Sequence, residues 1–238
     1  MWIHEGDEWK AAFTMHKGSF KPLVMYFGLY NSPATFQKMM NKIFHDMSDM
    51  CVVYINDLMI FTPMDNQEEH DRIVLEVLRR LHDNDLFVKP EKCCFRVTEV
   101  DFLSMIVSCD GIKMDPEKVN AILKWPEPTN VKQVHTFLGL GNFYRRFIKD
   151  YAIISCPMVD LTCKDIIFNI GDKERALFEA LKAAFTTVPV LQYPDQDRKF
   201  HLETNASEFA VRGVISIKCD DGEFRPITYM LHSMTPPK

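Results

Sequence analysis

Long apolar runs are missing from this sequence. No run approaches the roughly 20 residues that a membrane-spanning helix needs, and Met1 to Lys10 is polar and acidic where a signal peptide is basic and then apolar. We therefore predict a chain that neither enters a membrane nor is secreted. Its expected place is intracellular, in the cytoplasm or the nucleus.

Patterns for a structural metal site or a disulfide framework are also missing. The seven cysteines form no C-x-x-C pair, and an odd number is poor material for the paired cysteines of a secreted domain. The eight histidines are scattered without the spacing of a zinc site. These absences predict a reducing compartment.

An excess of positive charge is missing as well. The net charge of -5 at pH 7 argues against a protein whose whole surface attracts nucleic acid, and it leaves only a local basic cleft for such binding. What the sequence does contain is apolar residues, at 47% of its 238 positions. That content predicts a buried core and roughly one to two domains.

One tight hairpin is predicted in the N-terminal half. Two short β-rich runs, Cys51 to Ile55 and Leu58 to Phe61, flank the dipeptide Asn56-Asp57, which tolerates the left-handed backbone of a tight turn. Upstream, Ser32 can cap a helix that holds Pro33 in its first turn. Taken alone, the dipeptide can equally be a turn chosen only for its backbone.

Helices and strands alternate in the rest of the sequence. Strand patterns are predicted at 93–97 and 101–107, and helices are predicted to begin with caps at Asp115, Asn130 and Asp172. The last forty residues have a β texture. Three strands are predicted there: Lys199 to Thr204, Phe209 to Ile217 and Phe224 to Met230.

Two motifs carry a resemblance to a known family. The first spans Phe27 to Gln37 and contains Phe-Gly-Leu-Tyr-Asn-Ser-Pro, and the second is Tyr54-Ile55-Asn56-Asp57 on the predicted hairpin. Together they resemble the reverse transcriptase palm of gypsy-type LTR retrotransposons. The first motif can also be interpreted as no more than a capped helix entry.

Further segments follow in the order that this family has. They are Lys-Cys-Cys-Phe at 92–95, Phe-Leu-Ser at 102–104, which is similar to the family's Phe-Leu-Gly primer grip, Phe-Leu-Gly at 137–139, and Asn-Phe-Tyr-Arg-Arg-Phe-Ile at 142–148. Residues 200–207 resemble the first strand of the RNase H domain. The sequence is thus identified as a member of the reverse transcriptase and RNase H region of gypsy-type Pol polyproteins, in truncated and degenerate form.

The resemblance implies an α+β fold, a right-hand polymerase palm with partial fingers and thumb. It divides the chain into palm and partial fingers at 1–107, without the first catalytic strand, a thumb at 108–152, a connection at 153–197 and an incomplete RNase H-like start at 198–238. The binding partner that it implies is an RNA or DNA template-primer duplex.

The resemblance also implies a chemistry, which is nucleotidyl transfer assisted by two Mg²⁺ ions about 3.5–4 Å apart. Asn56 and Asp57 are the implied catalytic positions of the Tyr-x-Asp-Asp turn, with Asp57 as metal ligand, and Asn205 stands at the first RNase H carboxylate. The implied nucleotide-binding residues are Phe27, Gly28 and Tyr54. The implied template or primer contacts are Gln37, Phe102, Leu103, Arg145 and Arg146.

Departures from the family pattern predict an inactive chain. Asn56 and Asn205 carry neutral amides where the family has aspartates, and the palm strand with the remaining aspartate would lie upstream of Met1. Because Mg²⁺ prefers anionic oxygen ligands, its binding is expected to be weak or lost. The alternative is a domesticated, non-enzymatic scaffold that binds nucleic acid or protein.

Two expectations concern surfaces. Without the upstream strand a sheet edge would stay unpaired, and we expect the chain to self-associate through that edge. Arg145 and Arg146 can pair with phosphates, although a solvated helix face explains them equally well.

Overall fold

The computed structural model describes residues 1–62, 66–163, 166–206 and 210–233. The chain forms two compact units, Met1–Cys93 and Cys94–Lys238. Each unit combines helices with antiparallel sheets. No helix in the described ranges is long and apolar enough to cross a membrane.

The first unit packs two helices on a β-hairpin. Its strands are β1 (Phe13–Met15), β2 (Gly18–Phe20), β3 (Cys51–Tyr54) and β4 (Asp57–Ile60), and its helices are α1 (Ser32–Ile43) and α2 (Gln67–Asp83). Apolar residues three and four positions apart place one face of each helix inward. The buried residues that meet there are Met40, Phe44, Met47, Cys51, Ile73, Val77 and Leu81.

The second unit places four helices between two three-stranded antiparallel sheets in chain order. Its elements are β5 (Glu99–Phe102), β6 (Met105–Ser108), β7 (Gly111–Met114), α3 (Pro116–Leu123), α4 (Val131–Tyr144), α5 (Tyr151–Asp160), α6 (Asp172–Ala184), β8 (Phe200–Ala206), β9 (Ala210–Lys218) and β10 (Phe224–Ser233). Aromatic side chains dominate its core, including Phe137, Tyr144, Phe147, Phe178 and Phe185.

The C-terminal meander, with strand order β10-β9-β8, is attached to the rest of this unit. Strand β10 contacts α5 and the 3₁₀ turn Arg145–Phe147. Arg212 of β9 donates a hydrogen bond to Asp150 at 2.9 Å. The backbone N–H of Gln192 donates to the carbonyl of Pro226, which fastens the preceding segment to β10. The meander therefore shares the core of the unit rather than forming one by itself.

The position of the central hairpin turn differs from its prediction by one residue. Tyr54 pairs with Asp57, so the turn consists of Ile55 and Asn56, and Asp57 is the first residue of β4. The pairing buries Cys51 on the inner face, and a slip of one residue would turn that face outward. Burial therefore overrides the turn preference of the Asn-Asp dipeptide.

Two predicted helix caps are wrong and two are confirmed. Ser32 and Asp172 are the first residues of their helices, where Asn31 and Gly171 occupy the cap positions. At α6 the carboxylate of Glu174 accepts a hydrogen bond from the Gly171 N–H, so the cap is supplied from inside the helix. Asp115 and Asn130 do cap: their side chains accept the N–H groups of Glu117 and Gln133 at 2.8 and 3.0 Å.

The predicted strand at 93–97 is wrong, because that segment is irregular backbone that pairs with no strand in the described chain. The predicted strand at 101–107 is two strands, β5 and β6, separated by a turn at Leu103 and Ser104. The three C-terminal strands are confirmed. The predicted first residue of the middle one, Phe209, lies outside the described residues.

Candidate functional site

The turn between β3 and β4 holds its first residue in an uncommon conformation. Ile55 has a φ of 51°, in the left-handed region that a β-branched residue rarely occupies. Such a backbone persists only where the surroundings hold it, and residues of this kind concentrate at functional sites. The surrounding structure, rather than the local sequence, therefore sets the backbone conformation of the turn beside Asn56 and Asp57.

Gln37 of α1 supplies that support. Its side-chain oxygen accepts the N–H of Ile55 at 2.6 Å, and its side-chain nitrogen donates to the carbonyl of Val53 at 3.0 Å and to the Oδ1 of Asn41 at 2.7 Å. One amide thus satisfies a donor and an acceptor of the turn. The structure places Gln37 against the hairpin, and its predicted contact with a template stays a prediction.

The three polar side chains of this turn face solvent. Tyr54 is 52% exposed, and Asn56 and Asp57 are exposed beside it. The side-chain carboxylate of Asp57 has no hydrogen bond or ion pair with any residue that the structure describes. A ligand can therefore reach its carboxylate.

The donor atoms near the turn do not fit a pair of divalent cations. Asp57 provides one carboxylate, and Asn56 provides an uncharged amide in place of a second one. Across residues 1–62, 66–163, 166–206 and 210–233, no three His, Cys, Asp or Glu side chains come together as a metal-binding group. Mg²⁺ prefers hard anionic oxygen ligands, and this turn supplies one carboxylate where a pair of cations needs more.

Phe27 and Gly28 lie in the loop that leads into α1. The Phe27 side chain is 96% exposed. Gly28 has a φ of 104°, and the space where a Cβ would project is empty. The hydroxyl of Tyr26, one residue earlier, donates to the carbonyl of Ala11 at 3.1 Å and anchors the loop. The loop thus presents an accessible aromatic ring next to bare backbone.

The turn between β5 and β6 is the second strained turn. Leu103 and Ser104 have φ values of 51° and 60°, and neither is a residue type that favours the left-handed region. Phe102 pairs with Met105 across the turn, and Phe102 and Leu103 are half-buried. The carbonyl of Ser104 accepts a hydrogen bond from the buried Tyr144 hydroxyl.

Tyr144 is a residue that the sequence reasoning missed as a contributor to this site. It is the last residue of α4, it is 1% exposed, and its burial raises the pKa of its hydroxyl. Like any tyrosine hydroxyl, it is protonated at neutral pH and can donate a hydrogen bond. Its place inside the motif at 142–148 was the available signal, but the motif alone does not reveal the partner.

Arg145 and Arg146 follow Tyr144 in a 3₁₀ turn. Both side chains are exposed, and neither pairs with a carboxylate among the described residues. Other exposed arginines of the chain, such as Arg72 with Glu69, are paired. Two adjacent free guanidinium groups are suited to phosphate oxygens.

Asn205 lies on β8, directly opposite Arg212 of β9. Residues paired in this way have Cβ atoms about 5 Å apart on the same face of a sheet. The nearest cross-strand neighbour of Asn205 is thus a cation, whose guanidinium is bound to Asp150. A neutral amide beside a guanidinium does not fit a divalent cation, so the described residues of this strand pair do not form the RNase H metal site that the resemblance implies.

Two segments of the chain match known protein families. Residues 1–107 match the family model of reverse transcriptase, described as RNA-dependent DNA polymerase. Residues 170–238 match the model of the RNase H-like domain found in reverse transcriptase. The chain belongs to the reverse transcriptase and RNase H-like region of retrotransposon Pol polyproteins.

Curated relatives agree with this assignment. The retrovirus-related Pol polyprotein from transposon opus of Drosophila melanogaster is 38% identical over 98% of this chain and 24% of its own length. That from transposon gypsy of the same organism is 34% identical over 100% of this chain and 24% of its own length. The predicted family is thus confirmed, and the chain spans about a quarter of the length of these relatives.

Solved structures share the fold. A foamy viral protease-reverse transcriptase in complex with double-stranded DNA superimposes with a TM-score of 0.85 at 24% identity, over 99% of this chain and 41% of that one. The same viral protein in complex with an RNA/DNA hybrid gives 0.84 at 24% identity, over 99% of this chain and 32% of that one. The predicted α+β polymerase fold is confirmed.

Proposed function

We propose that this chain binds a primer-template duplex through an inherited reverse transcriptase scaffold and does not extend the primer. The observation that carries the proposal is the turn at Tyr54 to Asp57. Its backbone is held by Gln37 in a strained shape, while its carboxylates are reduced to Asp57. This turn thus keeps the backbone shape that binding needs, but it lacks the negative charge that catalysis needs.

The charge of the cation ligands determines whether primer extension is possible, for a chemical reason. When bound, two divalent cations activate the primer hydroxyl and neutralise the charge on the leaving phosphates. Asp57 is the residue of this turn that can ligate a cation, and the amide of Asn56 offers a carbonyl oxygen without charge. One carboxylate does not position two cations, so we expect no primer extension by this chain.

Duplex binding is supported by the basic end of α4. Arg145 and Arg146 are exposed and unpaired within the described chain, and such guanidinium groups bind phosphates without reading sequence. The turn at Leu103 and Ser104, which follows Phe102, is bonded to the same end of the helix through Tyr144. The structural neighbours named above were solved with double-stranded DNA or an RNA/DNA hybrid, which agrees with such a partner.

The proposed division of labour follows the four predicted parts. We assign palm and partial fingers to 1–107, thumb to 108–152, connection to 153–197 and the RNase H-like start to 198–238. The segment matched by the reverse transcriptase model, 1–107, coincides with the first part. The segment matched by the RNase H-like model, 170–238, covers the last part and begins inside the proposed connection. We place the protein inside the cell, in the cytoplasm or nucleus, and its seven free cysteines support a reducing compartment.

A non-enzymatic scaffold that binds protein is the second candidate. Its support is the exposure of large apolar side chains in the first unit, where Trp2, Phe27 and Tyr30 are 79, 96 and 98% exposed. Strands β3 and β4 form a two-stranded sheet in the described chain, so their outer edges are available for self-association. Sedimentation across a concentration series tests this candidate, because a monomer at every concentration contradicts self-association.

The test of the main proposal is duplex binding by the purified chain at several salt concentrations. We expect affinity for an RNA-DNA primer-template to fall as salt rises. The slope of log K against log salt is negative, and replacing both Arg145 and Arg146 by Gln should reduce its magnitude by about 2, because roughly two phosphate contacts are lost. Arg72→Gln, which removes an exposed arginine already paired with Glu69, is the control and should leave the slope unchanged.

Primer extension by the same preparation tests the second half of the proposal. With Mg²⁺ or Mn²⁺ and all four nucleotides, we expect no incorporation above a blank without protein. Template-directed incorporation contradicts the proposed inactivity. A salt-independent affinity, or none, contradicts the proposed duplex binding.

A further inference from the structure

We infer that Tyr144 is a positioning residue that holds the β5–β6 turn and the Arg145-Arg146 pair in one arrangement for the duplex. The inference rests on the proposed duplex binding. Its basis is one hydrogen bond, in which the Tyr144 hydroxyl donates to the Ser104 carbonyl at 2.9 Å. The bond joins residues forty positions apart in the sequence.

The turn needs an external support. Leu103 and Ser104 are consecutive residues with φ values of 51° and 60°, a backbone that glycine or asparagine adopts far more readily. No side chain within the turn offsets this preference. Without a contact from outside, the turn is free to populate other shapes.

Tyr144 is placed to supply that contact. Its ring is buried in the aromatic core beside Phe147, with ring centroids 6.3 Å apart, so the side chain has a fixed position. Its hydroxyl donates a partly buried hydrogen bond to the turn carbonyl. A buried ring with one polar atom acts as a rigid strut from the helix to the turn.

The same residue begins the basic segment. Tyr144 occupies the cap position of the 3₁₀ turn that carries Arg145 and Arg146. The strut therefore connects the two surfaces that we propose to touch the duplex, one through Phe102 and Leu103 and one through the guanidinium groups. Loosening the strut should weaken binding without removing any residue that contacts the nucleic acid.

Tyr144→Phe tests this inference, because it removes the hydroxyl and keeps the ring. We expect the Kd for an RNA-DNA primer-template to rise about 3- to 10-fold, the range that corresponds to one lost hydrogen bond. Tyr193→Phe is the matched control. Its hydroxyl donates to the carbonyl of Ser108 at 2.8 Å, at the opposite end of β6, and its removal should leave the Kd unchanged.

A rescue variant separates positioning from general stability. Ser104→Gly removes the steric cost of the positive φ at residue 104, while Leu103 keeps its own, so the turn depends less on the strut. The double variant with Tyr144→Phe and Ser104→Gly should therefore bind more tightly than Tyr144→Phe, with a Kd closer to that of the wild type. A Kd for Tyr144→Phe equal to that of the wild type, or a double variant that binds no more tightly than Tyr144→Phe, overturns the inference.

Amide hydrogen exchange of the free protein distinguishes this inference from the proposed function. Exchange in residues 102–105 should be about 3- to 10-fold faster in Tyr144→Phe, slow again in the double variant, and unchanged in Tyr193→Phe. If the wild-type chain does not bind the duplex, the proposed function fails while this exchange pattern still supports the strut. Unchanged exchange at 102–105 in Tyr144→Phe overturns the strut, whatever the duplex result.

Discussion

The β3–β4 hairpin and the β5–β6 hairpin both contain a strained turn, and a different helix side chain supports each one. Each has a two-residue turn in which a non-glycine residue has a positive φ, and each turn receives a hydrogen bond from a helix of its own unit. Gln37 makes two hydrogen bonds to the first hairpin, one as acceptor and one as donor. Tyr144 makes one to the second.

The two hairpins also differ in the departure that we infer from the family pattern. Gln37 and Tyr144 support the two turns, and Asn56, which the resemblance places at a carboxylate position, faces solvent at the first one. An amide differs little in volume from a carboxylate. Backbone geometry is held by buried or half-buried contacts and resists such drift, whereas a solvent-facing ligand loses its charge without a cost in folding.

The largest expected effect is that of Gln37→Ala. It leaves the Ile55 N–H and the Val53 carbonyl without their partner, and we expect the free energy of unfolding to fall by about 2 kcal/mol. That is about twice the expected effect of Tyr144→Phe, since one hydrogen bond is lost there. Urea unfolding of the full chain, with hydrogen exchange of residues 51–60, measures it.

Gln67→Ala provides the comparison for Gln37→Ala. Gln67 is an exposed glutamine whose side chain donates to Asp71 at 3.2 Å within one helix. Its replacement should change the free energy of unfolding by less than about 0.5 kcal/mol. Equal losses for the two glutamines contradict the role assigned to Gln37.

A smaller effect of opposite sign is expected for Ile55→Gly. The β-branched side chain makes the left-handed conformation cost roughly 1–2 kcal/mol, and its removal relieves that cost. Glycine also gives the unfolded chain more conformational freedom, which cancels part of this gain in stability. The free energy of unfolding should rise by about 0.5 kcal/mol, as measured by the urea midpoint. Ile55→Val, which keeps the branch, should bring no gain, and a clear loss for Ile55→Gly means that the side chain contributes more through packing than it costs.

The two turns also show how far the sequence was informative. The hairpin at 51–61 was predictable because β-rich runs flank a turn-forming dipeptide, but its register depends on the burial of Cys51 and on Gln37, which no local pattern contains. The turn at 103–104 gave no signal, because Leu-Ser is not a turn dipeptide and its support comes from Tyr144. Tertiary contacts decided both details.

Helix α5 was missed for a related reason. Its residues Tyr151–Asp160 are apolar on most sides and include Pro157, so they lack the three-and-four periodicity that marks an amphipathic helix. Family motifs, in contrast, named the candidate site residues. The structure places Asn56, Asp57 and Asn205 on exposed hairpin and strand backbone, and their roles remain predictions.

The smallest expected effect is that of Asn56→Asp, and it bears most directly on the proposed function. The substitution adds the carboxylate that the resemblance implies at this position, with little change in side-chain shape, and Asn56 is exposed, so the fold should tolerate it. Even so, two adjacent carboxylates remain short of the three that the resemblance implies for a pair of cations.

We therefore expect Asn56→Asp to leave primer extension at the level of the blank with Mg²⁺ and with Mn²⁺. Its duplex affinity should change by less than about twofold, because one charge is added at a position that faces solvent. Asn120→Asp, at an exposed amide of α3, controls for the added negative charge. Incorporation that appears in Asn56→Asp and not in Asn120→Asp would mean that one added carboxylate is enough to give this chain catalytic activity.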